Sequence, residues 1–128
     1  MSLLLDTHAL LWWLDGDERL SATARRGIAD LDARVLVSAA SAWEIATKVR
    51  IGKLPGAVEV AERFVEVVRG QDFEFLSISV EHARQAGLFP GDHRDPFDRM
   101  LIAQSQLEGL VLVSNERLFD RYGIRRLW

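Results

Sequence analysis

Short apolar runs alternate along the chain with longer segments in which apolar residues recur every three or four positions. The runs LLLD, VLVS and LVLVS are continuous enough to predict strands that are buried on both faces. Two more mixed segments, FEFLSIS and IRRLW, predict two further strands. Because helical patterns separate the strands, the order predicts a parallel sheet with helices packed on both of its faces.

The predicted helices have recognisable beginnings and ends, with serine or proline at several starts and glycine at several ends. In SAWE, the spacing of Ser41 and Glu44 predicts a capping box at the start of one helix. The predicted helical segments are THALLWWLDGD, SATARRGIADLD, SAWEIATKVRIG, AVEVAERFVEVVRG, VEHARQAGLF, PFDRMLIAQSQLEG and the short NERLFDRYG.

Composition narrows the class of protein. Apolar residues make up 48% and charged residues 27% of the chain, which is typical of a globular domain. The chain has no internal repeat or linker, so residues 1–128 are expected to form one domain. Cysteine is absent, which excludes disulfides and thiolate metal sites. With apolar runs too short for a bilayer and no basic leader, a cytoplasmic protein is expected.

Acidic residues follow the predicted central strands. Asp6, Glu44 and Glu116 lie just past three of these strands, and Asp95 and Asp98 open the helix before LVLVS. Each acid alone is explained as a helix cap or as a charge that suits the helix dipole. Together they are expected to converge, because the carboxyl ends of parallel strands meet at one edge of the sheet, where α/β proteins bind ligands.

A cluster of carboxylates needs a cation. Two like charges 4 Å apart repel by about 4 kcal/mol at an effective dielectric constant of 20. Oxygen donors without cysteine or paired histidines favour Mg²⁺ or Mn²⁺ over zinc. Such an ion promotes attack of water at phosphorus, so the sequence predicts phosphodiester hydrolysis. The net charge of −3 argues against a broad, non-specific polyanion binder.

Three segments, LLLDTHALLWWL, SAASAWEIATKVRIGKL and HRDPFDRMLIAQSQLEGLVLVSNERLFDRYGI, closely resemble PIN-domain ribonucleases, specifically the VapC-type toxins of bacterial toxin–antitoxin pairs. The resemblance covers essentially the whole chain. It implies a three-layer α/β domain with a central parallel five-stranded sheet of order 3-2-1-4-5. It also implies a metal-dependent endoribonuclease that uses Mg²⁺ or Mn²⁺, and a cognate antitoxin protein as partner.

The resemblance also assigns the site residues. Asp6, Glu44 and Asp98 match the acidic triad of the family, which is expected to bind the metal ion. Glu116 matches a fourth catalytic position that is commonly aspartate, and its longer side chain leaves Asn115 as an alternative polar contributor.

Further residues are expected to support the site or to bind RNA. Thr7 is expected to hydrogen-bond an acidic ligand or a bound water, and Asp95 to cap its helix and tune the site. Arg94, Arg99 and Lys48 are candidates for a phosphate-binding rim. Arg99 has the alternative of pairing with a neighbouring acid, and Lys48 that of a solvated helix end.

Three other functions compete with this interpretation. A receiver domain needs a lysine after a late strand, whereas both lysines, Lys48 and Lys53, lie in the first half. A haloacid-dehalogenase-type phosphatase needs an aspartate where His8 stands. A non-catalytic binding module of the same fold remains open.

Apolar surface predicts association. The segment AVEVAERFVEVVRG carries more valine and phenylalanine than one sheet face readily buries, and Trp12 and Trp13 add to this surface. A homodimer is therefore expected. An antitoxin with a basic side chain that reaches the acids is expected as well, from the family resemblance.

Overall fold

The computed structural model describes residues 1–128, with five strands in one sheet of order 3-2-1-4-5. Every neighbouring pair of strands is parallel. The strands are β1 (Ser2–Leu5), β2 (Arg34–Ser38), β3 (Glu74–Leu76), β4 (Val111–Val113) and β5 (Arg126–Leu127). The fold class expected from the sequence is thereby confirmed.

Seven α-helices and two 3-10 helices connect the strands. None of these helices has both the length and the apolar character needed to cross a membrane. The α-helices are α1 (Thr7–Asp15), α2 (Ala22–Ala29), α3 (Ala39–Arg50), α4 (Val58–Glu62), α5 (Phe64–Arg69), α6 (Val80–Leu88) and α7 (Pro96–Glu108). The 3-10 helices are Pro55–Ala57 and Arg117–Tyr122.

The sheet separates two hydrophobic cores, because successive residues of a strand point to opposite faces. On β1, Leu3 and Leu5 join a core with α1, α2 and α3, whereas Leu4 joins a second core against α7. All three leucines are fully buried. Burial on both faces explains why the central strands are continuous apolar runs.

Two predicted elements are shorter or more broken than the sequence pattern suggests. The segment AVEVAERFVEVVRG is interrupted at Arg63, whose backbone leaves the helical region at φ −117° and ψ 31°. Of the side chains in α4 and α5, only that of Val68 is buried, so packing does not hold the segment as one straight helix. The strand predicted in FEFLSIS is limited to Glu74–Leu76.

The start of α3 corrects the predicted capping box. The Ser38 hydroxyl caps the helix by accepting a hydrogen bond of 3.0 Å from the Ala40 amide. Helix α3 therefore begins at Ala39, and Ser41 and Glu44 lie inside it with buried side chains. The Glu44 carboxylate is thus free from any capping role and is turned toward α1.

Candidate active site

Asp6 lies directly after β1, where this strand adjoins β4. Its amide donates a 3.0 Å hydrogen bond to the Val113 carbonyl, which ties it to the end of β4. Its carboxylate caps α1 by accepting a 2.7 Å hydrogen bond from the Ala9 amide, and Ser114 donates a further one. Only 6% of Asp6 is exposed, so the two strands and α1 hold a nearly buried carboxylate in place.

Asp98 lies in the first turn of α7, as the sequence pattern indicated. The Asp95 side chain caps this helix by accepting hydrogen bonds from the amides of Phe97 (2.9 Å) and Asp98 (3.1 Å). One oxygen of Asp98, Oδ2, lies 2.9 Å from Nε2 of His93. The helix start and His93 together fix the direction of the Asp98 carboxylate.

Two of these acids titrate far above the usual aspartate range. Burial raises the pKa of Asp6 to about 6, and the charge of Glu116 contributes. Burial and the neighbouring charge of Asp95 raise the pKa of Asp98 to about 6 as well, and Glu116 contributes there too. Because the charge of Glu116 acts on both carboxyls, Glu116 lies within electrostatic reach of Asp6 and of Asp98 at this edge of the sheet.

Glu44 lies in the second turn of α3 and is 5% exposed. Thr7 donates a hydrogen bond to Oε1 of Glu44, and the Lys48 ammonium donates one to Oε2. Burial lowers the pKa of Lys48, but its bond to Glu44 and the charges of Glu44, Asp95 and Asp98 outweigh burial and raise this pKa. Lys48 is therefore paired with Glu44 and also lies within electrostatic reach of the acids at the start of α7.

The remaining acidic candidate and its neighbour are exposed. Asn115 and Glu116 follow β4, and the Glu116 amide donates a 3.1 Å hydrogen bond to the Ser114 hydroxyl. Glu116 occupies the cap position of the 3-10 helix Arg117–Tyr122 without a capping hydrogen bond from its side chain. Its carboxylate is consequently available to a ligand.

The cationic candidates differ in role. Arg94 is exposed beside the site. The Arg99 guanidinium instead lies 4.0 Å from the centre of the Phe89 ring and donates to backbone carbonyls. Its acceptors are the carbonyls of Ala86, Gly87, Phe89 and His93. These bonds join Arg99 to the end of α6 and to the loop that follows it, and a phosphate-binding role for Arg99 stays a prediction.

The side chains of the acidic candidates are chemically suited to bind a hard divalent cation. They are carboxylates, which are the ligands that such ions prefer, and burial together with neighbouring acidic charges raises the pKa of two of them. No three acidic or histidine side chains converge closely enough in this structure to hold a metal ion. Because Mg²⁺ is commonly bound through one or two carboxylates with water molecules as its other ligands, these acids can still hold such an ion.

Sequence reasoning missed two residues of the site. His93, which contacts Asp98, lies in the loop PGDHRD five residues before it, and only the loop's path brings the two together. Ser114 directly follows β4 and hydrogen-bonds Asp6. Ser114 could have been found from the sequence, because it is a polar residue at the end of a buried strand and this strand is a neighbour of β1, which precedes Asp6.

Comparison with known proteins identifies the family. The sequence model of the PIN domain family matches residues 3–125, so the chain belongs to the PIN domain family. The sheet order is also unlike the 2-1-3-4-5 order of receiver domains, which removes that alternative. A search of curated proteins finds no match to the sequence.

Solved structures with a similar fold include toxin–antitoxin proteins. VapBC-1 of nontypeable Haemophilus influenzae matches with a TM-score of 0.70 and 14% identity, over 98% of this chain and 96% of that chain. VapBC2 of Rickettsia felis, bound to a promoter DNA fragment, matches with a TM-score of 0.66 and 15% identity, over 98% of this chain and 97% of that chain. Mycobacterium tuberculosis VapC20, a sarcin–ricin loop cleaving toxin, matches with a TM-score of 0.65 and 17% identity, over 95% of this chain and 95% of that chain. At these identities the likeness shows the fold.

Proposed function

We propose that the protein is a metal-dependent endoribonuclease and the toxin of a toxin–antitoxin pair in the cytoplasm. The observation that carries the proposal is that Asp6 and Glu116 follow the neighbouring strands β1 and β4, and that the charge of Glu116 acts on both Asp6 and Asp98. In parallel α/β folds this is the edge at which ligands bind. The PIN fold and its toxin neighbours support the same activity.

In this proposal, Asp6, Asp98 and Glu44 bind Mg²⁺ or Mn²⁺, and Glu116 completes the site directly or through water. A bound ion of this kind lowers the pKa of a water molecule and offsets charge that develops at phosphorus. The rigid start of α1 holds Asp6 in position, and Thr7 orients Glu44. Asn115 is a further polar contributor beside Glu116.

The residues around the acids orient ligands and the RNA. Asp95 holds the first turn of α7, and His93 orients Asp98 through its 2.9 Å contact. Arg94 and Lys48 are the cations placed to meet RNA phosphates. A few local cations suit a protein whose net charge of −3 gives little long-range attraction to a polyanion.

The substrate proposed is a folded RNA that is cut in an unpaired loop. With little long-range attraction, recognition relies on exposed bases and RNA shape, which loops present better than a regular duplex. The structurally similar VapC20 is named for cleavage of such a loop. Cleavage sites mapped on a stem–loop RNA in the presence of Mn²⁺ test this proposal. Cuts in the loop are expected, and cuts confined to the stem, or no cleavage, would refute it.

The proposed protein partner is an antitoxin with a basic side chain that reaches the acids. Several structural neighbours were solved as toxin–antitoxin complexes. An arginine placed beside Asp6 and Asp98 would lower their pKa values, which burial and neighbouring acids raise, and would compete with the metal ion. Inhibition by the neighbour-encoded protein should therefore weaken as the Mn²⁺ concentration rises.

We also propose a homodimer, for which exposed Val58 and Val65 in the expected segment and Trp43 on α3 offer apolar surface. Trp12 packs against Trp128 and Trp13 against Phe73, with ring centres 5.8 Å and 6.1 Å apart, so neither tryptophan is a free docking surface. Trp43 is 59% exposed beside an apolar cavity of about 230 Å³ between α3, α6 and α7. Light scattering should show a dimer that Trp43→Glu converts to a monomer.

A further inference from the structure

Glu44 has both carboxylate oxygens occupied by side chains of its own chain. Thr7 donates to Oε1, and the Lys48 ammonium donates to Oε2. The Glu44 side chain is 7% exposed and that of Lys48 is 28% exposed. Lys48 is therefore the cation that pairs with this buried carboxylate.

Lys48 is placed to act on more than Glu44. It lies four residues after Glu44, one turn further along α3, so both side chains project from the same face of the helix. Helix α3 packs against the start of α7, where the ring centres of Trp43 and Phe97 lie 4.9 Å apart. The charges of Asp95 and Asp98 at this helix start therefore also act on Lys48. The ammonium thus lies within electrostatic reach of Glu44 and Asp98, two of the carboxylates that the proposed divalent ion would bind.

We propose that Lys48 is a built-in counter-ion, which holds Glu44 in place until a divalent ion binds and competes with that ion for the acidic site. The inference rests on the proposed metal-dependent function. An ammonium and a divalent ion repel each other at close range, so ion binding must displace Lys48 and release Glu44. The flexible stem of lysine allows its charged end to move away without a change in the helix.

The proposal predicts whether loss of the Lys48 charge strengthens or weakens metal binding. Removal of the Lys48 charge should strengthen metal binding, because the competing cation is lost. A residue that merely positioned Glu44 as a ligand would have the opposite effect, and its removal would weaken binding. Measuring metal affinity in the absence of RNA therefore separates the two roles.

Isothermal titration calorimetry of the full chain with Mn²⁺ tests the direction of this change in affinity. Lys48→Met is expected to bind Mn²⁺ about tenfold more tightly than the wild type, which corresponds to about 1.4 kcal/mol. Lys48→Arg, which keeps the charge, should bind with wild-type affinity. Lys53→Met is the matched control, because Lys53 is the only other lysine and is exposed beyond the end of α3. Equal or weaker binding by Lys48→Met would overturn the inference.

Thermal melting supplies an independent readout. Lys48→Met leaves the buried Glu44 charge without its partner, so the metal-free protein should melt at a lower temperature and gain more from Mn²⁺ than the wild type. If this variant does not fold, Lys48→Gln retains a hydrogen-bond donor without the charge. Its rise in melting temperature with Mn²⁺ should exceed that of Lys53→Gln, and equal rises would overturn the inference. Absence of saturable Mn²⁺ binding by the wild type would refute the proposed metal site itself.

Discussion

Replacement of Asp6 by asparagine should stabilise the metal-free protein at neutral pH. Burial raises the pKa of Asp6 from 3.8 to about 6. Because the folded state holds the proton more tightly than the unfolded state, ionisation of Asp6 destabilises the fold above about pH 6 and not below about pH 4. A difference of about two pKa units corresponds to about 3 kcal/mol of unfolding free energy, at 1.36 kcal/mol per unit.

Asparagine removes the free-energy cost of the buried Asp6 charge and keeps the local structure. Its amide oxygen can accept the hydrogen bond that the Ala9 amide now donates to Asp6 over 2.7 Å, and asparagine is as good a helix cap as aspartate. The free-energy gain corresponds to a rise in melting temperature of roughly 10 °C for a chain of this size.

Thermal melts in EDTA measure the effect. Asp6→Asn should melt roughly 10 °C above the wild type at about pH 7.5, and the difference should nearly vanish at about pH 4. Asp92→Asn, a change of an exposed acid in a neighbouring loop, is the matched control and should leave the melting temperature unchanged at both pH values. A variant no more stable than the wild type at neutral pH, or a gain that persists unchanged in acid, would refute the reasoning.

Two further substitutions test the contacts around the site. Thr7→Val should lower the unfolding free energy by about 1.5–3 kcal/mol, because it removes a hydrogen bond to the buried Glu44 carboxylate, and urea denaturation measures the loss. An unchanged denaturation midpoint would contradict that contact. Arg99→Met should accelerate proteolysis between residues 86 and 93, where Arg99 holds backbone carbonyls, while Arg94→Met at an exposed position should not. Equal cleavage of both variants would show that Arg99 does not hold this segment.

The sheet was predictable because its central strands are buried on both faces and leave a continuous apolar signal. LLLD and LVLVS match β1 and β4 closely for this reason. The caps at Asp6 and Asp95 were predictable as well, since both depend on residues within three positions. The strand order came from the family resemblance, because local pattern carries no information on which strands are neighbours.

The parts that sequence reasoning missed depend on distant contacts. Ser38 and Ser41 are both plausible caps for α3, and packing decides between them, because the Ser41 hydroxyl lies 3.1 Å from the Thr7 hydroxyl, within hydrogen-bond distance. The pairing of Glu44 with Lys48 has a sequence signal in its four-residue spacing, but the sequence analysis assigned Glu44 to a metal ion and Lys48 to RNA phosphate or a solvated helix end. Arg99 was taken for a surface cation because its carbonyl partners lie 6 to 13 residues away in a loop and a helix end.

The most direct test of the acidic site is RNA cleavage by matched variants of the purified protein. The wild type and Asp92→Asn should cleave a stem–loop RNA when Mg²⁺ or Mn²⁺ is present and should be inactive in EDTA. Asp98→Asn should be inactive under all conditions while it retains a cooperative melt, because it removes one charge of the proposed metal site without disturbing the cap at Asp95. Cleavage by Asp98→Asn at the wild-type rate, or undiminished wild-type cleavage in EDTA, would contradict the account.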